Sequence, residues 1–265
     1  MYATNYGGER NSFPAVFTKG EAMRKLYTKS NLAFAIIWIV IYCVLMSLGD
    51  NLSDAVGISK VVTLPIALLL SAILLIFIKG NRLTKEYGLC KATVPAKKML
   101  FYIPLVLLLA ANLWHGINLN TSLTETVLYI LTMLCVGFLE EVIFRGLLFK
   151  AMAENGIKSA VIVSSITFGI GHIINLFNGS GAELIPNILQ VIYAIAAGFM
   201  FVMVYYKGGS LIPCIVAHGV FNALSVFADE SGLTMERRVI SCVFLVIVSG
   251  GYGAYIALKV KNKKQ

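Results

Sequence analysis

Charge is scarce in this 265-residue chain: Asp, Glu, Lys and Arg make up 13% of it, against 58% hydrophobic residues. That balance excludes an ordinary water-soluble domain and points to a multi-helix membrane bundle. The five cysteines form no C-x-x-C pair, and Cys43, Cys135, Cys214 and Cys242 lie inside apolar runs. A disulfide framework or thiolate zinc site is thereby disfavoured, and reduced thiols are expected. A His-Glu-x-x-His helix is also missing, as is a Ser, Cys or Thr in a recognisable nucleophile motif. There is no internal repeat, low-complexity tract or soluble accessory domain, and no paired half-helices of the kind transporters use. Acidic residues are too few to balance the basic ones, leaving a net charge of +9. Those Lys and Arg residues cluster between apolar runs instead of striping one amphipathic element, which argues for membrane topology and against nucleic acid.

What the chain has in quantity is apolar sequence. Eight runs are long enough to be spanning helices: Leu32–Gly49, Val61–Ile78, Met99–Leu113, Thr124–Ala153, Ser159–Phe177, Leu184–Tyr206, Leu211–Phe227 and Val239–Val260. The expected fold is therefore an all-α, polytopic membrane helix bundle of about eight transmembrane helices, with residues 1–265 as a single integral membrane domain. The N-terminal segment, the Lys79–Lys98 loop and the Lys259–Lys264 tail hold fifteen Lys and Arg. The intervening loops Asp50–Ile58, Trp114–Leu123 and Asn178–Glu183 hold none. The positive-inside rule then places both the N-terminus and the C-terminus in the cytoplasm, Arg237 and Arg238 being outvoted. Residues 1–30 read as a polar cytoplasmic segment with no apolar core that would make a cleavable signal, so the first spanning helix is expected to direct insertion. The Lys79–Lys98 loop reads as a solvated linker that fixes topology, the alternative being a segment lying on an anionic leaflet.

The stretch Phe138-Leu139-Glu140-Glu141-Val142-Ile143-Phe144-Arg145 interrupts the fourth run. Each ionisable group there would cost about 2.5 to 3.5 kcal/mol at mid-membrane. Glu141 and Arg145 stand four residues apart with the acid first, the favourable order for a helical ion pair. Glu140 is turned about 100° from Glu141, so the pattern predicts one carboxylate held by arginine and one left free to face a cavity. The competing reading is that all three charges only lock helices together.

Two of the three histidines fall inside spanning runs: His172, four residues after Phe168, and His218, four before Asn222. Gly169 and Gly171 beside His172 allow close backbone approach. At 1.5 Å per helical residue, Glu140, His172 and His218 lie about 15, 21 and 16 Å from the nearest inner-side lysines, Lys150, Lys158 and Lys207. All three reach mid-depth of a core about 30 Å thick. A carboxylate, two imidazoles and an amide from separate helices thus meet in a medium hostile to each, the signature of a site.

Carboxylate and imidazole together activate water, and imidazole with the Asn222 amide holds a developing oxyanion. Glu140, His172 and His218 are also the donor types of a catalytic zinc site. With zinc on those three, Glu141 would be the only carboxylate left as base, and it is committed to Arg145. Without metal, every group has a role. The expectation is a glutamate-dependent hydrolase with no tightly bound cofactor, zinc on Glu140, His172 and His218 being the alternative.

Glu140-Glu141-x-x-x-Arg145, Phe168-x-x-x-His172 and His218-x-x-x-Asn222, in that order, resemble the three motifs of the CPBP family. This family comprises the type II CAAX prenyl endopeptidases and the bacterial Abi or bacteriocin-processing proteins. The resemblance covers about Thr124 to Phe227, so residues 124–227 are expected to be the protease core. It implies a membrane-embedded endopeptidase with Glu140, His172, His218 and Asn222 as catalytic positions and Glu141, Arg145 and Phe168 in support. Similar members have been described both as metalloproteases and as glutamate-dependent enzymes. The implied partners are the lipid bilayer and a peptide or protein substrate, either a prenylated CAAX protein or a bacteriocin or signal-peptide precursor. A bacterial plasma membrane is the expected location. The alternative function is a non-catalytic bacteriocin-immunity or scaffold protein of the same fold.

Overall fold

A computed structural model describes residues 21–119, 121–178, 181–229 and 231–261. Expectations for residues 1–20, the tip of the Asn178–Glu183 loop and the last four residues of the tail fall outside these. Among the described residues the chain is helical and forms no strand. Seven helical stretches are long and apolar enough to cross a membrane: Asn31–Val56, Thr63–Gly80, Ala96–Leu113, Leu123–Ala153, Ile157–Leu176, Leu184–Gly208 and Met235–Lys259. The remaining apolar run is helical over Ile212–Phe227. At 1.5 Å per residue it is about 24 Å long, short of a full crossing and suited to an element enclosed by others. The fold is an all-α polytopic membrane bundle.

Helix α1 (Glu21–Lys29) occupies the end of the polar N-terminal segment, and its Met23, Leu26 and Tyr27 pack on the core. Helix α2 (Asn31–Val56) starts where the Ser30 side chain accepts from the Ala33 amide. It buries Phe34, Trp38, Tyr42, Met46, Gly49 and Ser53, a one-faced stripe. Ile36, Val40, Val44, Leu48 and Leu52 are exposed on its other face. Outward Ile, Val and Leu over a whole helix face suit lipid and would be untenable in water. The helix also continues through Asp50 and Asn51 to Val56, ending at Gly57 in the left-handed region, so most of the expected outer loop is helical. Asp50 is held there by Lys60 Nζ at 2.8 Å and Thr63 Oγ1 at 2.6 Å, partners that let an acid remain in the helix.

The basic loop after α3 (Thr63–Gly80) is not a solvated linker. Leu83, Tyr87 and Val94 are buried in the core. Its backbone is tied to the turn at residues 208–211 by Leu211 N to Gly88 O at 2.8 Å, Thr93 N to Gly208 O at 2.9 Å and Ser210 Oγ to Cys90 O at 2.6 Å. Burial pushes the Tyr87 phenol far up. Apolar residues spaced through a basic loop were the overlooked signal: Lys79, Arg82, Lys85, Lys91, Lys97 and Lys98 are exposed while Leu83, Tyr87 and Val94 turn inward.

The third run is broken, with 3-10 turns on either side of α4 (Ile103–Leu109) and left-handed backbone at Leu100, Phe101 and Tyr102. By contrast α5 (Leu123–Glu141) begins on a capping box between Ser122 and Glu125. It runs on as a π-helix over Val142–Phe149 and then as α6 (Lys150–Ala153). A π segment departs from the i→i−4 bonding of an α-helix. Its Phe144 carbonyl accepts from Ser164 Oγ of α7 (Ile157–Gly171) at 2.8 Å. Helices α8 (Leu184–Gly208), α9 (Ile212–Leu224) and α10 (Met235–Lys259) complete the bundle. The α5 and α9 backbones cross closely at Gly137, where a Cβ would stand 2.5 Å from Gly219 Cα. That crossing brings His218 against the two glutamates.

Candidate active site

Glu141 is fully buried and serves two partners. Its Oε1 lies 3.1 Å from Arg145 Nη1, as the spacing predicts, and also 2.8 Å from His218 Nδ1. The second contact comes from α9 and was invisible to spacing along α5. Arg145, equally buried, lies with its guanidinium 3.9 Å above the Phe168 ring and 5.4 Å from that of Phe201. A weakly hydrated planar cation between aromatic faces is stabilised there by cation–π attraction in addition to its carboxylate.

Glu140 is not free in the way the sequence suggests. It is 9% exposed, and its Oε1 accepts from the Tyr42 hydroxyl at 2.5 Å. The other oxygen, Oε2, has no hydrogen-bond partner and lies 3.5 Å from His218 Nε2. The two ring nitrogens of His218 therefore face the two adjacent glutamates, one each. Aromatic neighbours fix the imidazole plane: Phe201 stacks on it with centroids 5.6 Å apart, and Phe168 meets it edge-on at 5.6 Å.

His172 follows α7 at the start of a 3-10 turn, His172–Leu176, and its ring meets Phe168 edge-on at 5.4 Å. It lies near enough to Glu140, His218 and Arg145 to feel their charges. Its carbonyl accepts from the buried Asn187 side chain at 2.9 Å, which pins the turn to α8. His172, His218 and Asn222 line one cavity, whose other walls include Leu105, Leu108, Ala194, Ala197, Phe221 and Leu245. A largely apolar cavity with a few convergent polar groups has the form of a small-molecule or peptide-side-chain site. Glu140 reaches it by way of His218, whose Nε2 lies 3.5 Å from Glu140 Oε2. His115 lies elsewhere, bonded to Ser241 at 2.9 Å.

The seven residues singled out in sequence thus fall in one neighbourhood. Tyr42, Phe201 and Asn187 were missed. Tyr42 carried a faint signal, a hydroxyl on the buried stripe of α2 about 18 Å along from Ser30 and so near mid-membrane. No three His, Cys, Asp or Glu side chains among the described residues are arranged to hold a metal ion. His218 gives Nδ1 to Glu141, which leaves Nε2 as the nitrogen on the Glu140 side.

Residues 122–224 match the family model described as type II CAAX prenyl endopeptidase Rce1-like. This segment is an Rce1-like domain. It runs from the cap of α5 to the end of α9 and contains Glu140, Glu141, Arg145, Phe168, His172, His218 and Asn222. The match supports membrane-embedded endopeptidase activity in general. No curated protein and no solved structure gives a significant match. Helices α2, α3, α4 and α10 lie outside the matched segment, yet α2 supplies Tyr42 and α4 and α10 wall the cavity.

Proposed function

We propose that the chain hydrolyses peptide bonds within the membrane by a glutamate-dependent mechanism in which Glu140 is the general base. The observation that carries this reading is Glu140 Oε2, a buried carboxylate oxygen with no hydrogen-bond partner and with His218 Nε2 3.5 Å away. At that separation the pair makes no direct hydrogen bond, which leaves Oε2 as an acceptor for a water at the site. Glu140 takes a proton from this water as its oxygen attacks the scissile carbonyl carbon. The Asn222 amide and the His172 imidazole, both on the cavity wall, stabilise the charge that develops on the carbonyl oxygen. The protonated Glu140 then passes its proton to the departing amine nitrogen as the C–N bond breaks, leaving a carboxylic acid and an amine, which become carboxylate and ammonium by proton exchange.

His218 is held by Glu141 through Nδ1, which orients the ring and leaves Nε2 toward Glu140. Arg145 in turn holds Glu141 in place, Nη1 lying 3.1 Å from Oε1. None of these steps calls on a metal. The walls of the cavity are chiefly Leu, Ala, Met and Phe, which favours a substrate presenting apolar side chains or a lipid chain beside the cleaved bond. A prenylated CAAX protein and an unprenylated apolar peptide precursor both meet that description.

The test is cleavage by protein purified in detergent, with a peptide library read by mass spectrometry. Wild type is expected to give discrete internal cuts. Glu140→Gln, nearly isosteric, is expected to abolish them with its thermal midpoint retained. Equal cleavage by Glu140→Gln would remove Glu140 as base. Full binding or protection by Glu140→Gln with no cleavage by wild type would favour the non-catalytic scaffold.

A further inference from the structure

The Tyr42 hydroxyl and Glu140 are 98 residues apart in the chain and bonded at 2.5 Å in a buried setting, although Tyr42 lies outside the Rce1-like domain. We propose that Tyr42 is a positioning residue for catalysis, one that holds Glu140 by one oxygen so that the other is presented to the nucleophilic water. The inference rests on Glu140 being the base.

A glutamate side chain has three rotatable bonds, and its carboxylate turns freely unless something fixes it. Glu140 has no arginine of its own, since Arg145 is joined to Glu141. Among the described residues the Tyr42 hydroxyl donates the one hydrogen bond to its carboxylate, and it engages Oε1 alone. The geometry therefore separates two jobs on one carboxylate: Oε1 is anchored, and Oε2, unpartnered, faces His218 Nε2. The anchor is itself rigid. Tyr42 sits on the stripe that α2 packs against the bundle, between Trp38 and Met46, each at most 8% exposed. A phenol has few rotamers, so little freedom is lost when it is used as a strut.

A purely structural tyrosine would satisfy a buried carboxylate in the same place, so the experiment must separate position from stability. Tyr42→Phe in the full-length protein is expected to lower kcat at least tenfold with KM and thermal midpoint little changed. Met46→Leu, one turn along the same face, is the packing control and should leave cleavage unchanged.

An unaltered kcat in Tyr42→Phe would overturn the proposal. If Tyr42→Phe does not fold, 3-fluorotyrosine at position 42 keeps the shape and strengthens the donor. A changed kcat at constant KM then supports the inference, and an unchanged kcat sinks it. An infrared readout distinguishes this from failure of the proposed function. The Glu140 carboxylate band, found by difference against Glu140→Gln, should shift on Tyr42→Phe whether or not the protein cleaves anything. An unshifted band would refute the anchor, whereas a shifted band in a protein that never cleaves would refute the enzyme and leave the hydrogen bond standing.

Discussion

Arg145 is a fully buried cation held by one carboxylate and two aromatic faces, with no hydrogen-bond partner on Nε or Nη2. Removing it strands Glu141, which is also fully buried and which then faces only His218. An uncompensated buried charge costs about 3 to 5 kcal/mol. Arg145→Ala should accordingly lose more folded protein than Glu140→Ala, whose target carboxylate has only a neutral hydroxyl as anchor. Thermal-shift midpoints of the two variants in detergent would decide; equal midpoints would mean that the pair does not hold the bundle. Arg145→Lys keeps the charge but not the planar face lying 3.9 Å over Phe168. It should be intermediate, losing about 1 to 2 kcal/mol of cation–π and packing energy.

Between elements, the decisive contact is the crossing of α5 and α9 at Gly137 and Gly219. In Gly137→Ala the new methyl would fall 2.5 Å from both Cα and N of Gly219, so the helices must separate. His218 adjoins Gly219, and the separation carries its imidazole away from Glu140 and Glu141. Overpacking of this kind costs about 1 to 3 kcal/mol. A displacement of about 1 Å at reacting groups can cost about a hundredfold in rate. Gly137→Ala should therefore lose cleavage out of proportion to its loss of stability. Gly251→Ala on α10, where a Cβ meets nothing within 4 Å, is expected to leave cleavage intact and stability equal or slightly raised. Matching effects of the two substitutions would disprove a role for the crossing. The π segment was legible only as a long apolar run: periodicity told that Thr124–Ala153 is helical. The change of hydrogen-bonding register over Val142–Phe149 depends on Ser164 arriving from another helix to take the Phe144 carbonyl.

At the scale of the whole molecule, the matched domain brings the polar groups and the remaining helices complete their enclosure. Leu105 and Leu108 from α4 and Leu245 and Ser249 from α10 wall the same cavity as His172, His218 and Asn222. If substrate side chains occupy that space, Ala197→Phe should raise KM severalfold for substrates with bulky apolar residues while sparing small ones. Steady-state kinetics on a matched peptide pair would measure this, and an equal effect on both peptides would place the substrate elsewhere.

Much of this architecture was readable from residue order because lipid imposes simple demands. Every backbone polar group needs an internal partner, so long apolar runs had to be helices, and scarce charges inside them had to converge. Local spacing also sufficed for Glu141 and Arg145, since a helical turn sets their separation. Tyr42 on Glu140, both glutamates on one imidazole, and the guanidinium between Phe168 and Phe201 were not readable, because each joins residues from different helices. Nor could a basic loop be seen to be stitched down when its partners, Gly208 and Leu211, come more than a hundred residues later. Sequence by itself determined which segments cross the membrane and which polar groups they carry to mid-depth. Only the tertiary structure decided which oxygen faces which nitrogen, since that depends on how closely and at what rotation the helices pack.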